Sequence, residues 1–428
     1  MEQPEIPVLE CGSWSNNSFY VAGHSLGYTT DEYVPELAEI RIIARVLNRT
    51  ARALLFGLWT LAVIEAVAQP APPAPPAPVV SPEVQSDNRV TFRFRAPNAQ
   101  NVEVQLEGRT ARLEMKRDDS GVWSVTTDPL EPDYYGYSFV ADGVGLIDPS
   151  NPLMKPNLLN TQSMVHVVGP SSLPWELNTV PHGVLHHHFY KSGVVGDQRD
   201  YYVYTPPDYE AAAKKSYPVL YLLHGYSDAA NGWTAVGVAN LILDNLIAQQ
   251  KAKPMIVVMT LGYGDLKMLD RGFRAFSDDD LRQRNLKNYR EALLTEVIPQ
   301  VEREYRTLKD RKSRAIAGLS MGGSESLFVG LTSLDRFAWI GAFSTGGLSE
   351  NLDQQFAEMK ANDTAKLDLL WIACGTEDRL IQTNRKIREW LTSKGVKHTD
   401  IETPGAHTWM VWRRNLASFA PLLFQNGK

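Results

Sequence analysis

The sequence is poor in cysteine, has no excess of positive charge, and lacks an apolar stretch long enough for a comfortable membrane span. Two cysteines, Cys11 and Cys374, occur in 428 residues, which excludes a fold built on a network of disulfides. The formal net charge of −6 argues against nucleic acid as a partner, and the sequence shows no stripe of basic residues that could bind one. Hydrophobic residues still make up 43% of the chain, which is enough for the cores of two domains.

An apolar stretch near the N-terminus has the layout of an export signal. Arg49 and Arg52 precede the apolar residues 53–64, and Ala66, Val67 and Ala68 supply a small-residue cleavage site. The apolar stretch is short for a membrane span, and Glu65 follows it directly. We therefore expect cleavage near Ala68, a secreted or periplasmic protein, and no stable membrane anchor in the mature chain.

Residues 1–48 do not fit this interpretation, because a signal peptide should begin the chain. We interpret residues 1–68 as a mis-assigned extension followed by the signal peptide, with the true start near Val46 or Leu47. The alternative is a genuine long N-terminal tail around an uncleaved anchor.

Cleavage after Ala68 would remove Cys11, so the mature chain would keep Cys374 as a single buried thiol without a disulfide. The stretch that follows, residues 69–84, is rich in proline. Proline fixes the backbone and cannot donate to a β-ladder, so this stretch predicts a stiff polyproline-like linker.

Residues 85–170 show the alternation of apolar and polar side chains that half-buried strands produce, for example over residues 90–96. Turn residues separate the runs, so the pattern predicts a small antiparallel β-sandwich. Trp123 either stacks on a sugar or packs in the core of this sandwich. The same two alternatives apply to Tyr134, Tyr135 and Tyr137.

From residue 183 to 428, short apolar runs alternate with helical patterns, which is typical of a parallel or mixed α/β sheet. Residues 289–305 predict a helix with one apolar side, and Pro299 predicts a kink in it. Residues 262–284 are polar, include Asp278, Asp279 and Asp280, and predict a solvated surface excursion near the site.

The most informative motif is Gly318-Leu319-Ser320-Met321-Gly322. An apolar run that predicts a strand precedes it, and residues 324–329 predict the opening of a helix, which is the context of a nucleophile elbow. The glycines permit a sharp turn because they have no Cβ. The motif predicts Ser320 as a nucleophile at a helix N-terminus, where developing negative charge is favoured.

Two partners for Ser320 follow in the chain. Asp378 comes just after a buried-strand run, where catalytic acids of open α/β sheets lie. His407 lies in a loop beyond a further short strand, and the order Ser, Asp, His is that of α/β-hydrolases. Asp378 could also serve as a helix N-cap, and Glu377 is the competing acid.

Two backbone amides are candidates for an oxyanion hole. The first is the N–H of Met321, the residue after the nucleophile. The second is the N–H of Tyr226, which follows an apolar strand ending in His224-Gly225. We interpret His224 as a residue that orients this loop rather than as a catalytic group.

Residues 183–428 resemble carbohydrate esterase family 1 within the esterase D-like α/β-hydrolases, a group that includes feruloyl esterases, acetyl xylan esterases and enterochelin esterase-like proteins. The strand pattern of residues 85–170, continuing through Asp148-Pro149-Ser150-Asn151-Pro152, resembles the early-set, family 48 carbohydrate-binding modules that precede many glycan enzymes. The resemblance to the esterases is carried by Leu222-Leu223-His224-Gly225-Tyr226, Asn231-Gly232-Trp233, Gly318-Leu319-Ser320-Met321-Gly322-Gly323, Cys374-Gly375-Thr376-Glu377-Asp378 and Gly405-Ala406-His407-Thr408-Trp409.

This resemblance implies an α/β-hydrolase fold preceded by a small antiparallel β-sandwich. It also implies a serine esterase that acts on acylated plant polysaccharide, releasing ferulate or acetate, without a cofactor. Candidate substrate-binding residues are Trp233, Trp409, Trp412 and Trp123; for Trp409 and Trp412, core packing is an equal alternative.

Three histidines in a row, His186, His187 and His188, could suggest a metal site. In a strand, however, their side chains alternate between the two faces, and no set of carboxylates lies nearby in sequence. We therefore expect no metal there.

Other functions remain open at this stage. A siderophore trilactone esterase usually needs a basic pocket, which the acidic balance does not favour. A catalytically silent glycan-binding protein is disfavoured by the intact set of Ser320, Asp378 and His407. Acyl transfer to a sugar hydroxyl remains possible, because it shares the acyl-enzyme with hydrolysis.

The export signal makes a direct prediction about the mature N-terminus. Because a signal peptidase would cut after Ala68, N-terminal sequencing of the exported protein should begin at Gln69. An exported protein with an intact Met1 would contradict this interpretation.

Overall fold

The computed structural model describes residues 77–359 and 361–425. The predictions for residues 1–68, for the start of the proline-rich linker and for Cys11 all concern residues outside these ranges. Among the described residues, no helix is long and apolar enough to cross a membrane.

The N-terminal module consists of two antiparallel sheets packed face to face. One has the strand order β1-β2-β6-β5, and the other has the order β4-β3-β7-β10-β9 with β8 paired to β7. The strands are β1 (Glu83–Val84), β2 (Val90–Arg95), β3 (Val102–Leu106), β4 (Leu113–Glu114), β5 (Lys116–Arg117), β6 (Val122–Thr126), β7 (Asp133–Ala141), β8 (Val144–Leu146), β9 (Met154–Lys155) and β10 (Gln162–Val167).

The inward-facing aromatic residues of this module form its core. Phe92 and Tyr137 are fully buried, with ring centroids 4.6 Å apart. Trp123 is also buried, and its indole N–H donates to the carbonyl of Ala96 at 2.9 Å. Trp123 is therefore a core residue and its ring is not free to stack on a sugar. Tyr135 is buried as well.

The second part of the chain is an eight-stranded sheet with the order β11-β12-β14-β13-β15-β16-β17-β18. The edge strands β11 and β12 are antiparallel, and the strands from β14 to β18 pair in parallel. The strands are β11 (Val184–Lys191), β12 (Gln198–Thr205), β13 (Val219–Leu223), β14 (Ile256–Thr260), β15 (Arg314–Leu319), β16 (Trp339–Phe343), β17 (Leu369–Gly375) and β18 (Thr399–Thr403).

Helices cover both faces of this sheet, because its central strands are apolar on both sides. The α-helices are α1 (Gly232–Ala235), α2 (Ala239–Ala248), α3 (Lys267–Asp270), α4 (Asp279–Ala292), α5 (Ile298–Glu304), α6 (Met321–Thr332), α7 (Leu352–Gln355), α8 (Ile381–Ser393) and α9 (Trp409–Phe419). Short 3₁₀ turns occupy Gly272–Ser277, Arg311–Ser313, Ala361–Lys366 and Ala420–Leu422.

The segment expected to be a polar surface excursion is partly helical. The side chain of Asp278 accepts a hydrogen bond from the N–H of Leu281 at 3.0 Å and so caps α4. Asp279 and Asp280 lie in the first turn, where the helix dipole favours negative charge. The acidic run therefore marks the start of a helix, which begins ten residues before the predicted Tyr289.

The predicted kink at Pro299 has a specific form. A π-helical turn, Leu293–Val297, separates α4 from α5, and Pro299 lies in the first turn of α5. Proline lacks an N–H and crowds the preceding turn, so the wider π turn accommodates it within an otherwise continuous helix.

Arg413 on α9 makes the central contact between the two parts of the chain. Its guanidinium is fully buried, with Nη2 2.6 Å from Oδ1 of Asp133 on β7. The same group donates to the carbonyls of Val236 at 2.8 Å and Tyr134 at 2.7 Å. The neighbouring Arg414 is half-exposed and lies 3.2 Å from the other oxygen of Asp133.

These contacts predict very different costs for replacing the two arginines. Arg413→Met leaves the carboxylate of Asp133 buried beside only a half-exposed partner, and should lower the free energy of unfolding by about 3–5 kcal/mol. Arg414→Met removes a solvent-screened contact and should cost about 1 kcal/mol or less. Urea unfolding of both variants measures the difference, and equal midpoints would contradict the importance of Arg413.

Candidate active site

The turn that carries Ser320 is a strained connection between β15 and α6. Ser320 has φ = 52° and ψ = −113°, a backbone conformation that residues other than glycine rarely adopt. Its N–H donates to the carbonyl of Phe343 on β16 at 2.8 Å. A Cβ at Gly322 would lie 2.5 Å from the carbonyl oxygen of His224, so only glycine allows this close approach. These contacts hold the Ser320 hydroxyl at the end of the sheet.

The structure brings Ser320, His407 and Asp378 into one hydrogen-bonded line. Nε2 of His407 lies 3.0 Å from Oγ of Ser320, and Nδ1 lies 2.8 Å from Oδ2 of Asp378. Oδ1 of Asp378 accepts the N–H of Leu380 at 2.8 Å. Burial opposes ionisation of Asp378, but the hydrogen bond and charge of His407 and the Leu380 N–H hold its pKa below the usual value. The carboxylate is thus ionised and fixes one imidazole tautomer.

Glu377, the competing acid, makes different contacts. Its side chain is exposed and accepts hydrogen bonds from the hydroxyl of Thr376, at 2.8 Å, and from the N–H of Gly405. These contacts fasten the loop that leads to His407 without reaching the imidazole. Asp378, and not Glu377, is the acid that contacts His407.

The two predicted oxyanion donors belong to residues close to Ser320, one in the chain and one in the cleft. Met321 is the first residue of α6, and Tyr226 follows β13 and lines the same cleft as Ser320. Within the described residues, neither backbone N–H donates to another protein group. Both amides therefore remain available to a substrate oxygen.

His224 organises the loop that carries Tyr226. Its Nδ1 donates to the carbonyl of Gly225 at 2.7 Å, and its Nε2 accepts the N–H of Gly262 at 2.9 Å. Burial lowers the pKa of His224 to about 4, so the ring is neutral and can both donate and accept. The contacts agree with the loop-orienting role expected from the sequence.

A cleft of about 270 Å³ opens above Ser320 and is bounded by both parts of the chain. Tyr226, Phe273, Arg379, Trp409 and Trp412 contribute from the catalytic domain. The sandwich module contributes Glu107, Lys155 and Gln162. The segment that follows β9, residues 156–160 (the strap), contributes Asn157, Leu159 and Asn160.

The tryptophans differ in their relation to this cleft. Trp412 and Trp409 line it but are 6% and 2% exposed, so only their edges reach it. The ring of Trp412 lies edge-on to His407, with centroids 4.9 Å apart. Trp233 is fully buried and donates to the carbonyl of Leu223 at 2.8 Å. Trp233 is therefore a core residue and not a substrate contact, since it has no exposed surface.

Glu107 connects the module to the histidine side of the site. Its Oε1 accepts the N–H of Trp409, the first residue of α9, at 3.1 Å, and its Oε2 lies 2.8 Å from Nζ of Lys155. Burial opposes ionisation of Glu107, but Lys155 and Arg413 lower its pKa below the usual value. An ionised carboxylate thus caps the helix that begins two residues after His407.

Two further ionisable groups line the cleft, Asp228 and Arg379. Burial raises the pKa of Asp228 to about 7, with Lys155 and Asn157 acting in the opposite direction. Arg379 is exposed at the mouth and lies over the ring of Phe273, with Cζ 6.0 Å from the centroid. Phe273 is 65% exposed. None of the module residues in the cleft could be predicted, because no local motif marks them.

The three consecutive histidines make separate contacts on strand β11. His186 contacts the hydroxyl of Thr205, His187 contacts Asp200, and His188 contacts Tyr305. Among the residues that the structure describes, no group of three or more potential metal ligands comes together.

Comparison with known proteins identifies the class. Residues 192–422 match the model of a family described as putative esterase, and residues 80–156 match carbohydrate-binding module 48, the isoamylase N-terminal domain. The first match covers more than half of the chain, so the chain belongs to this esterase family. Its class is therefore the carboxylic ester hydrolases, and the predicted fold class, an α/β-hydrolase preceded by an antiparallel β module, is confirmed.

Two individual relatives each share less than 30% sequence identity with the chain. The chain is 29% identical over 350 residues to an endo-1,4-beta-xylanase/feruloyl esterase of Xylanibacter ruminicola, a match that covers 80% of this chain and 46% of that protein. The chain thus spans about half the length of this relative. It is also 22% identical over 233 residues to an acetyl esterase of Caldicellulosiruptor saccharolyticus, which covers 46% of this chain and 80% of that one.

Solved structures share the fold. A CE1 ferulic acid esterase of Anaeromyces mucronatus aligns with a TM-score of 0.51 and 24% identity, covering 60% of this chain and 96% of that one. The enterochelin esterase of Shigella flexneri aligns with a TM-score of 0.61 and 19% identity, covering 80% and 95% of the two chains. At these identities, the likeness is one of fold alone.

Proposed function

We propose that the chain is a secreted serine esterase that hydrolyses feruloyl or acetyl esters of plant polysaccharide through Ser320, His407 and Asp378. The observation that carries this proposal is the hydrogen-bonded line from Ser320 to Asp378 at the base of the cleft. The name of the Xylanibacter ruminicola relative, a xylanase and feruloyl esterase, supports the substrate class.

The proposed chemistry has two steps. His407 takes the proton of Ser320 while the serine oxygen attacks the ester carbonyl, and the alcohol leaves with that proton from the imidazolium. Water, deprotonated by His407, then attacks the acyl-enzyme and releases the acid. Asp378 stabilises the imidazolium and holds the tautomer with Nε2 free to accept.

The N–H groups of Met321 and Tyr226 are the proposed oxyanion hole. Met321 follows the nucleophile in the chain, Tyr226 lines the same cleft, and both N–H groups are free of protein acceptors in the described part of the chain. Amide donors fixed before the reaction stabilise the tetrahedral oxyanion without reorganising during it.

The two walls of the cleft differ in chemistry, which suggests the orientation of the substrate. The catalytic domain presents the exposed ring of Phe273 together with Tyr226, a surface suited to an aromatic acid. The module presents the amide side chains of Asn160 and Gln162, which suit the hydroxyls of a sugar. A feruloylated sugar matches both walls, whereas an acetylated sugar uses only the second.

Two alternatives share the same nucleophile. Transfer of the acyl group to a sugar hydroxyl needs only that a sugar replace water at the acyl-enzyme. Hydrolysis of an anionic siderophore ester of the enterochelin type would need cations in the cleft. Lys155 is already paired with Glu107, which leaves Arg379 as the cation without an ion pair among the described residues lining the cleft. We therefore favour the polysaccharide ester.

Secretion is part of the proposal and depends on the signal-like residues 53–68, which lie outside the described residues. Proximity to polymeric plant cell-wall substrate requires export, because such polymers do not enter cells. The β module would then travel with the catalytic domain as one unit.

The triad assignment predicts large losses of turnover. Ser320→Ala and His407→Ala should each reduce the release of ferulate from methyl ferulate by roughly 10⁴-fold or more, because triad members act as a unit. Glu377→Gln is the matched control for Asp378→Asn and should lose far less activity, because Glu377 does not reach the imidazole. A folded Ser320→Ala enzyme with near-normal rates would refute the proposed nucleophile.

The aromatic wall predicts which acyl group is preferred. Phe273→Ala should lower kcat/KM for methyl ferulate about fivefold, since an aromatic contact contributes on the order of 1 kcal/mol, and should leave kcat/KM for 4-nitrophenyl acetate unchanged. Phe189→Ala is the control, because Phe189 is 73% exposed on an edge strand outside the cleft. Equal losses on both substrates, or activity on acetyl esters alone, would move the assignment to acetylated xylan.

A further inference from the structure

The loop formed by residues 225–228 is held from outside the catalytic domain. This loop carries Tyr226, one of the two proposed oxyanion donors. The segment that follows β9 in the sandwich module, residues 156–160, lies against it and lines the same cleft. The contacts between the two segments are specific hydrogen bonds.

Asn157 is the centre of these contacts. Its Nδ2 donates to Oγ of Ser227 and to Oδ1 of Asp228, both at 3.0 Å. Its Oδ1 accepts the N–H groups of Leu159 and Asn160 at 3.1 and 3.0 Å. The side-chain amide is therefore fixed at both ends, and its two donor hydrogens point at the loop.

The backbone adds a further bond next to this amide. The N–H of Leu158 donates to the carbonyl of Ser227 at 2.7 Å. Both oxygen atoms of Ser227 are thus bound by the module. The catalytic domain holds the other side of the loop, since the hydroxyl of Tyr263 donates to the carbonyl of Asp228 at 3.1 Å.

Ser227 needs this support because its backbone is strained. Its φ is 67°, in the left-handed region that costs a residue other than glycine or asparagine roughly 1–2 kcal/mol. Strained residues persist where the surroundings over-determine them. The peptide plane that presents the Tyr226 N–H is separated from Ser227 only by Tyr226 itself, so a shift of Ser227 within this short loop displaces that N–H.

We propose that Asn157 is a positioning residue for ester hydrolysis: it holds the loop so that the Tyr226 N–H points at the developing oxyanion. This inference rests on the proposed function. It makes the β module part of the catalytic arrangement even for substrates without a sugar. Asn157 acts through Ser227 and Asp228 and need not touch the substrate.

A positioning role affects the transition state more than substrate binding. The oxyanion exists only in the tetrahedral species, so a displaced donor lowers kcat and leaves KM nearly unchanged. For Asn157→Ala in the full chain, with 4-nitrophenyl acetate as substrate, we expect kcat to fall roughly 10- to 100-fold. The affinity of a boronic acid, which forms a tetrahedral adduct with the serine, should fall by a similar factor.

Asn178→Ala provides a matched control. The Nδ2 of Asn178 also makes two hydrogen bonds, to the carbonyl of Ser171 and to Oδ1 of Asn245 on α2, both at 2.9 Å. This amide joins the segment between the two parts of the chain to the catalytic domain, away from the cleft. Asn178→Ala should therefore keep the kcat of the unmodified protein, although its stability falls.

A second variant covers the case in which Asn157→Ala does not fold. Ser227→Ala removes the hydroxyl acceptor but keeps the backbone bond from Leu158, and should lower kcat by a smaller factor with little change in the urea midpoint. Normal kcat in either folded variant, or a higher KM at unchanged kcat, would overturn the inference. Retained activity in Ser320→Ala would instead overturn the proposed function, whatever Asn157 does.

Discussion

The buried contact between Arg413 and Asp133 determines how the sandwich module and the catalytic domain meet. Arg413 lies on α9, the helix that begins two residues after His407, and it binds both the carboxylate of Asp133 and the carbonyl of Tyr134 on β7. The cost of removing two charges from water largely cancels their attraction, so a buried ion pair adds little net stability. Its effect here is to specify one geometry, the one in which both charges are paired. Once this geometry is set, Glu107 caps the start of α9, and the strap carrying Asn157 reaches the loop of Tyr226. The docking of the module and the arrangement of the active site therefore depend on the same helix.

Two buried ionisable side chains near the site, His224 and Glu325, have pKa values shifted toward their neutral forms. His224 has a pKa lowered to about 4 by burial and therefore carries no charge beside the oxyanion loop. Glu325, on the helix that follows Ser320, is fully buried, and burial raises its pKa well above the usual value although Asn285 and Arg199 oppose this shift. This shift favours the neutral form of Glu325. Other ionisable groups of the cleft are paired, Asp378 with His407 and Glu107 with Lys155, whereas Arg379 at the mouth has no ion pair among the described residues.

Features that depend on local sequence could be predicted, and features that depend on distant contacts could not. The turn at Ser320 follows from two glycines and an apolar strand, and Asp378 follows from the end of another strand, so both could be located without coordinates. The burial of Trp233 and Trp123 could not, because an aromatic residue beside a motif looks the same whether it faces a cleft or a core. The contact of Glu107 with Trp409 joins residues 302 positions apart, and that of Asn157 with Asp228 joins residues 71 apart. The acidic residues 278–280 lie at the surface as expected, but the helix that begins there was not predicted, since Asp is common both in solvated segments and at helix N-termini.

The central claim is that Ser320 attacks an ester whose oxyanion is bound by amides on two loops, one of which rests on the module. The most direct measurement is a crystal structure of the full chain inactivated with a phosphonate ester that carries a hydroxycinnamyl-like group. The account predicts a covalent bond to Oγ of Ser320, a phosphonyl oxygen within hydrogen-bond distance, about 2.7–3.1 Å, of the N–H groups of Met321 and Tyr226, and the aromatic ring against Phe273. A label on another residue, or a phosphonyl oxygen turned away from both amides, would contradict it.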